Sequence, residues 1–341
     1  MRRPLLALSL LLAGTAAAQT TGPAVPALPP AQTATSPAVS SLLLTAAPGT
    51  LAEYRLQSST AISVVDFHAE AQPGQTVSAA TLQKLNLELL AQKASLEKTL
   101  SAAQQTPAPS KTFMRVLPVA GGSGLLTTSV VQMPAVAGRP ASTVSISVRQ
   151  QMDASGRVVD LQVSSSDPQV QQVYQGLDMK SLLSAQQGSG MYGLALTPGV
   201  PARSRVTFPV QNLLGGMFAI IGAQSGLDLQ NRVQADPLLY TSVTTLQGDD
   251  AQGNHLLSQD SSGEPWALEV HLDHIQMTLR VVDMTGHSQL AYRPDGLPLS
   301  QNARQRYEVE MQMNEPGEAY RMIMRMRYDV TTQLHLVSVQ L

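Results

Sequence analysis

Glu269, His271 and Asp273 are the residues best placed to do chemistry together. Side chains on a strand alternate with period two, so these three share one face. Two carboxylates flanking an imidazole make a donor set for a divalent metal such as zinc. His274 follows at once, and Asp283 and His287 lie further on. Trp266, Leu268, Val270 and Leu272 form an apolar row on the opposite face, as in any half-exposed antiparallel strand. A metal site and a solvated strand face both fit, and the solvated face is the commoner arrangement. Beyond His274 the apolar parity moves to Ile275, Met277, Leu279 and Val281, which predicts a bulge or a tight turn.

Methionine supplies the second candidate. Met311, Met313, Met322, Met324 and Met326 alternate with polar or charged residues around Asn314-Glu-Pro-Gly-Glu318. Folding at that turn sets Glu308 against Arg325 and Gln312 against Arg321. Val309, Met311 and Met313 then share the other face with Tyr320, Met322 and Met324. The charged face fits cross-strand pairing in water. Thioethers are flexible and polarisable, so the Met face suits an irregular apolar partner such as an acyl chain. It would serve equally well as ordinary core under a helix.

Gly248-Asp-Asp250 with Gly253-Asn254 is the third. Acidic, glycine-containing loops bind calcium, but the alternating ligands and closing Glu of a calcium loop are missing. The same residues make hairpin turns, which is the reading adopted. Catalytic signatures are absent. Gly121-Gly-Ser-Gly124 is no nucleophile elbow, because Leu125 stands where the second Gly is needed. No phosphate loop, dinucleotide fingerprint or H-E-x-x-H helix occurs. Four Phe and one Trp also leave little for stacking on sugars. The expectation is a non-enzymatic protein with no cofactor; a secreted metal-dependent enzyme centred on His271 and Asp273 is the enzymatic alternative.

The elements that would position these residues are mostly strands. Val144, Ile146 and Val148 alternate with polar neighbours, Asp153-Ala-Ser-Gly156 turns, and 158–163 returns, a hairpin by period and turn chemistry. Residues 240–246 and 255–259 flank a second such turn. A third hairpin is expected at the C-terminus, with 321–328 and 334–341 as strands and Asp329-Val-Thr-Thr332 as turn. Hairpins closing each half suggest a duplication, with halves 42–190 and 191–341. Leu82, Leu85, Leu89, Leu96 and Leu100 put an apolar stripe on a helix over 78–100. Asp167-Pro168 starts a second helix, carried on by Val170, Val173, Tyr174 and Leu177 towards Gly188. A third, shorter one over 211–221 is weakened by two glycines.

Met1-Arg-Arg-Pro4, the apolar run 5–13 and Ala16-Ala-Ala18 follow the order of a secretory signal peptide over 1–18. Residues 19–41 are rich in Pro, Ala and Thr and read as a flexible tether. Removing Arg2 and Arg3 leaves 20 basic residues against 24 acidic, a net charge of −4. Without clustered Lys and Arg, nucleic acid is excluded as a partner. There is no cysteine, hence no disulfide, thiolate metal site or lipoprotein acyl anchor. Beyond the leader, the longest apolar stretch, 213–223, is too short for a helix to span a bilayer.

An apolar leader, antiparallel strands and an amphipathic helix able to cover one sheet face resemble the outer-membrane lipoprotein-carrier superfamily. The closing segment Arg327-Tyr-Asp-Val-Thr-Thr-Gln-Leu-His-Leu-Val-Ser-Val339 is similar to hairpins of that group and of other secreted β-rich bacterial proteins. The resemblance is architectural, spans residues 42–341, and carries over no functional residue. It implies an incomplete barrel whose concave face holds acyl chains, with two fused half-barrels to account for the length. The expected fold is thus mainly β (α+β): a large antiparallel sheet, half-barrel or duplicated, with two or three packed helices. The expected function is an exported periplasmic or cell-envelope protein binding or carrying an apolar ligand, either a lipid or a lipidated partner. A structural or assembly protein of the envelope, acting on other envelope proteins through sheet edges, is the alternative.

Overall fold

The computed structural model describes residues 40–103, 110–133, 142–177, 179, 183, 191–211, 232–272 and 275–341. The expected leader, the tether up to residue 39, residues 212–221 of the third helix, Asp273 and His274 lie outside the described residues.

The protein is mainly β, as expected, and the described residues form one antiparallel sheet of thirteen strands. One wing is a meander of β2 (Leu51–Ala71), β3 (Ser110–Val119), β4 (Gly122–Met133), β5 (Ser142–Asp153) and β6 (Val158–Ser165). The other wing begins at its edge with β8 (Ala202–Phe208), β10 (Leu238–Asp249) and β11 (His255–Gly263). It continues through β13 (Ile275–Tyr292) and β14 (Pro298–Asn314) to β15 (Tyr320–Gln340). β15 pairs with β2 from Tyr320↔Ala71 to Gln340↔Leu51, so the first and last long strands form the centre. At about 3.3 Å per residue, these 21-residue strands extend ~70 Å. β12 (Trp266–Leu272) takes the half of the β13 edge that β11 leaves free, and β9 (Val233–Ala235) pairs with β12. β1 (Ser40–Ser41) and β7 (Ala195–Leu196) make a separate two-stranded ladder. The large sheet does not close.

Alternation sorts the side chains of the long strands. The inner face carries Tyr307, Val309, Met311 and Met313 of β14 beside Met322, Met324, Met326 and Tyr328 of β15. The outer face carries Glu308, Glu310 and Gln312 beside Arg321, Arg325 and Arg327. Inner residues gather in three apolar clusters. One joins the Met rows to Val64, Leu268, Val270, Leu279 and Val281. A second lies at the other end, around Ala52, Tyr54, Val116, Met152 and Leu334. The third is built on Leu246, Leu257, Leu290 and Tyr292, and Tyr192 packs against both of the last two.

The helix α1 (Ala79–Ala103) is capped by Ser78, whose hydroxyl accepts the Thr81 N–H at 3.1 Å. The sequence places its apolar stripe correctly: Leu89 is buried, Leu82, Leu85, Leu96 and Leu100 are half-buried, and Leu96 and Leu100 pack on the first cluster. β3 pairs only with Leu51–Leu56 of β2, so the rest of that edge needs another cover. α1 supplies it. The Asn86 carboxamide accepts from Ala69 N (2.6 Å) and donates to Ala69 O (3.2 Å), and Lys93 Nζ donates to Val65 O (2.9 Å). A carboxamide has the donor–acceptor pair of a peptide group, so Asn86 acts as one residue of a missing strand.

The Asp153 and Asp250 turns close the expected β5–β6 and β10–β11 hairpins. The helix α2 (Pro168–Gln175) starts where predicted, with Val170 N bonded to Asp167 Oδ1 at 3.1 Å. Two expectations fail. The proposed turn at Asp329-Val-Thr-Thr332 is the middle of β15, paired without a break to β14 and β2. Three of those four residues are β-branched, which suits a strand, and Asp329 is held across it by Arg306 (3.1 Å). The strand-turn-strand likeness between the two halves is lost at that point. The β14–β15 register also differs: Glu308 faces Arg327 rather than Arg325, and Asn314 rather than Gln312 faces Arg321. A shift of two residues keeps every side chain on its expected face, which is why the face assignment survives.

Candidate functional site

The five methionines divide. Met311, Met324 and Met326 are buried inside the first cluster, at 4, 5 and 9% exposure, beneath half-buried Met313 and Met322 at the end of the sheet. Met311 pairs with Met324 and Met313 with Met322, so the inner and outer members form two cross-strand layers. Met277, opposite Met313, extends the layer containing Met313 and Met322, while Phe67 lies beside Met324 and Trp266 opposite Val281. Leu272, Phe67, Trp266 and Met277 are all half-buried against the same cluster. The apolar face is therefore core at its centre and a half-open rim at its end.

Beside that rim, a half-open pocket of about 240 Å³ lies against the β14–β15 turn. Its lining is polar and includes Gln72, Gln75, Gln276, Asn314, Glu315 and Glu318. Asn314 Oδ1 is buried without a partner among the described residues. Gln72 Nε2 donates to the carbonyls of Glu318 (3.0 Å) and Tyr320 (3.2 Å), which holds the turn against the end of β2. This is a hydrogen-bonding pocket, not a berth for hydrocarbon.

The outer face over the Met rows is a ladder of alternating charge. Asp66, Arg325, Glu310 and Arg280 lie opposite one another on four successive strands. Arg325 Nη2 donates to Glu310 Oε2 at 2.8 Å, and Arg327 Nε to Glu308 Oε1 at 3.0 Å. Arg321 binds Glu70 and reaches diagonally to Gln312 Oε1 at 3.1 Å. Arg325, helped by Gln312, holds the Glu310 carboxyl below the usual carboxylate range. The arrangement neutralises itself and offers no single-sign field to a charged ligand.

Glu269 and His271 share the outer face of β12, as their spacing requires, with Glu269 Oε2 3.4 Å from His271 Nε2. Both are about half exposed, and Asp273 lies outside the described residues. Their neighbours across β13 are Thr278 and Gln276, neither of which is a metal ligand of choice. Among the described residues no three His, Asp or Glu side chains converge on a metal position. The Asp249–Asn254 loop is a turn. Asp250 Oδ1 accepts the N–H groups of Gln252 (2.8 Å) and Asn254 (2.9 Å), and Gly253 has φ 79°.

Sequence reading missed the buried tyrosines. Tyr54, Tyr192 and Tyr292 come from three distant segments and surround the Arg293–Asp295 ion pair (2.9 Å). Tyr192 and Tyr292 meet edge to face with centroids 6.2 Å apart, and the Tyr192 hydroxyl donates to Gly296 O at 2.8 Å. Tyr54 is fully buried, and its hydroxyl has no partner among the described residues. Burial, then the nearby Tyr292 and Asp295, push its phenol well above the ordinary range. Only Arg293-Pro-Asp-Gly296, a turn sequence, marks the place in the chain.

No family model matches the chain, and no curated protein is found similar to it. Among the described residues no helix is long and apolar enough to cross a membrane.

Proposed function

We propose that the protein is an exported, non-enzymatic component of the cell envelope that binds an apolar ligand, a lipid or a lipidated partner, on the inner face of its sheet. The observation that carries this reading is the half-open rim of Met313, Met322 and Met277 beside a packed apolar cluster in a sheet that does not close. Flexible thioethers at such a rim adapt to chains of varied shape at small packing cost. Met311, Met324 and Met326 support the rim from below rather than touching the ligand. The leader-like residues 1–18 support export.

Native mass spectrometry of the full chain purified from its own envelope tests the reading. A bound lipid mass is expected, and it is lost in Met313→Glu or Met322→Glu while the β circular-dichroism signal persists. Protein that carries no lipid and yields no acyl chain on extraction overturns it.

A second reading, a structural or assembly role through protein contacts, is favoured by one separate observation: among the described residues the strand order ends on β6, which has neither proline nor a basic residue. Cross-linking in intact cells that yields a reproducible protein partner and no lipid decides for it.

A further inference from the structure

We infer that Met277, Met313 and Met322 hold a soft monovalent cation, Cu(I), between their three thioether sulfurs. The inference goes beyond the apolar-ligand reading and does not depend on it, although the two share a rim.

The three residues stand at one level of the sheet on consecutive strands. Met313 of β14 is opposite Met277 of β13 and Met322 of β15. Val270 and Ala69 end the row on either side, so thioethers fill three adjacent places and no fourth. All three methionines are half-buried against the first cluster. Neighbouring strands lie about 4.8 Å apart, so flexible, unbranched side chains on the outer two can lean over the middle one and share a ligand with it.

Packing alone does not call for methionine here. Half-exposed strand positions favour β-branched or aromatic residues. Two levels deeper on the same face, the row is Val281, Val309, Met326 and Val64, an ordinary core mixture. Ordering a methionine costs more side-chain entropy than ordering leucine or isoleucine, and half-burial recovers only part of it. Three adjacent thioethers at the rim are better accounted for by what sulfur can bind.

The donor set selects the ion. Thioethers are neutral, soft ligands that suit Cu(I), whereas hard cations take oxygen. In a chain without cysteine, methionine is the only sulfur ligand. A single positive charge costs less to half-bury than a double one, and neutral donors do not offset the second. Gln276 and Asn314, next along β13 and β14, put carboxamides beside the row rather than imidazole or carboxylate. Glu315 and Glu318 in the adjacent pocket give a cation a favourable approach.

Ag(I), of the same softness and charge and not prone to oxidation, is the probe. Titration of the full chain in chloride-free buffer at about pH 5 should give one tight site, because imidazoles of ordinary pKa near 6.5 are then protonated and thioethers are not. In protein carrying methyl-labelled methionine, three methyl resonances should move together. Met277→Leu, Met313→Leu and Met322→Leu should each remove one of them. Leucine keeps the rim apolar at similar volume, so each variant should hold its melting temperature and any bound lipid. Each should lose at least about tenfold in Ag(I) affinity, no less than the removal of an outer-shell partner costs a metal site. Met326→Leu, two levels into the core, should bind like the parent. Absence of a tight site at pH 5, equal losses in Met326→Leu and Met313→Leu, or shifts spread over methionines outside the row would overturn the inference. A chain that carries no lipid yet binds one Ag(I) on this row overturns the apolar-ligand reading and leaves the cation site standing. Lipid without Ag(I) binding overturns the cation site alone.

Discussion

Gly156 and Gly193 meet backbone to backbone, so closely that a Cβ on Gly156 would lie 2.6 Å from the Gly193 nitrogen. Gly156 closes the β5–β6 turn at φ 81°, and Gly193 N donates to Leu42 O at 2.9 Å. Leu43 O in turn rests against Gly296, in the turn between β13 and β14. This stack of bare backbone links the tips of two hairpins from opposite wings.

Substitution at this contact should be costly in a way that turn conformation alone is not. Gly156→Ala combines a positive φ with a clash against backbone, and should lower unfolding free energy by about 2 kcal/mol or more. Gly74→Ala, also at positive φ (78°) but with nothing within 4 Å, should lose about 1 kcal/mol. Urea unfolding of both variants measures the difference. Equal losses would show that the contact is not formed.

Tyr54 carries a buried hydroxyl with no acceptor among the described residues, whereas Tyr192 has one in Gly296. Tyr54→Phe should therefore be neutral or stabilising by about 1 kcal/mol, and Tyr192→Phe destabilising by a similar amount. The Tyr54 phenol is raised in the folded state, chiefly by burial. Its contribution is complete below the ordinary phenol pKa and is lost as pH rises above that value, since only the unfolded chain can then release the proton. Tyr54→Phe should flatten the alkaline limb of a melting-temperature profile.

Glu310 tests the outer ladder. Its carboxyl is held down by Arg325 and then Gln312, so its contribution is present above the ordinary carboxylate pKa. It disappears as pH falls through the depressed value. Arg325 remains 45% exposed, and solvent screening limits the loss in Glu310→Gln to about 1 kcal/mol at neutral pH. Below the carboxylate range the variant and the parent should melt together.

The two layers of methionine should respond differently to truncation. Met324→Ala opens a void in the first cluster and should cost about 2–4 kcal/mol. Met313→Ala, at the rim, should cost about 1 kcal/mol or less and instead weaken any bound apolar ligand. Thermal melts and lipid extraction on the same preparations separate the two roles.

What the sequence determined was local. Period-two alternation assigned the faces of β5, β12, β14 and β15, and Asp–Gly chemistry marked the turns at Asp153 and Asp250. A leucine stripe with its Ser78 start defined α1, and Asp167-Pro168 the start of α2. Each of these depends on residues within a few positions of one another, where spacing alone decides direction. Register, the unbroken run of β15 through Asp329, and the division of the methionines into core and rim are not local properties. A polar, β-branched stretch such as Asp329-Val-Thr-Thr332 becomes strand because β2 and β14 satisfy its backbone from both sides. Met324 is core because it lies between Phe67 of β2 and Met311 of β14, in a cluster that also draws Val64 and Leu279 from distant parts of the chain. Only the tertiary structure could bring Tyr54, Tyr192 and Tyr292 together or place β6 at the end of the strand order. Which backbone groups remain without a partner is settled by the whole sheet, not by any segment of it.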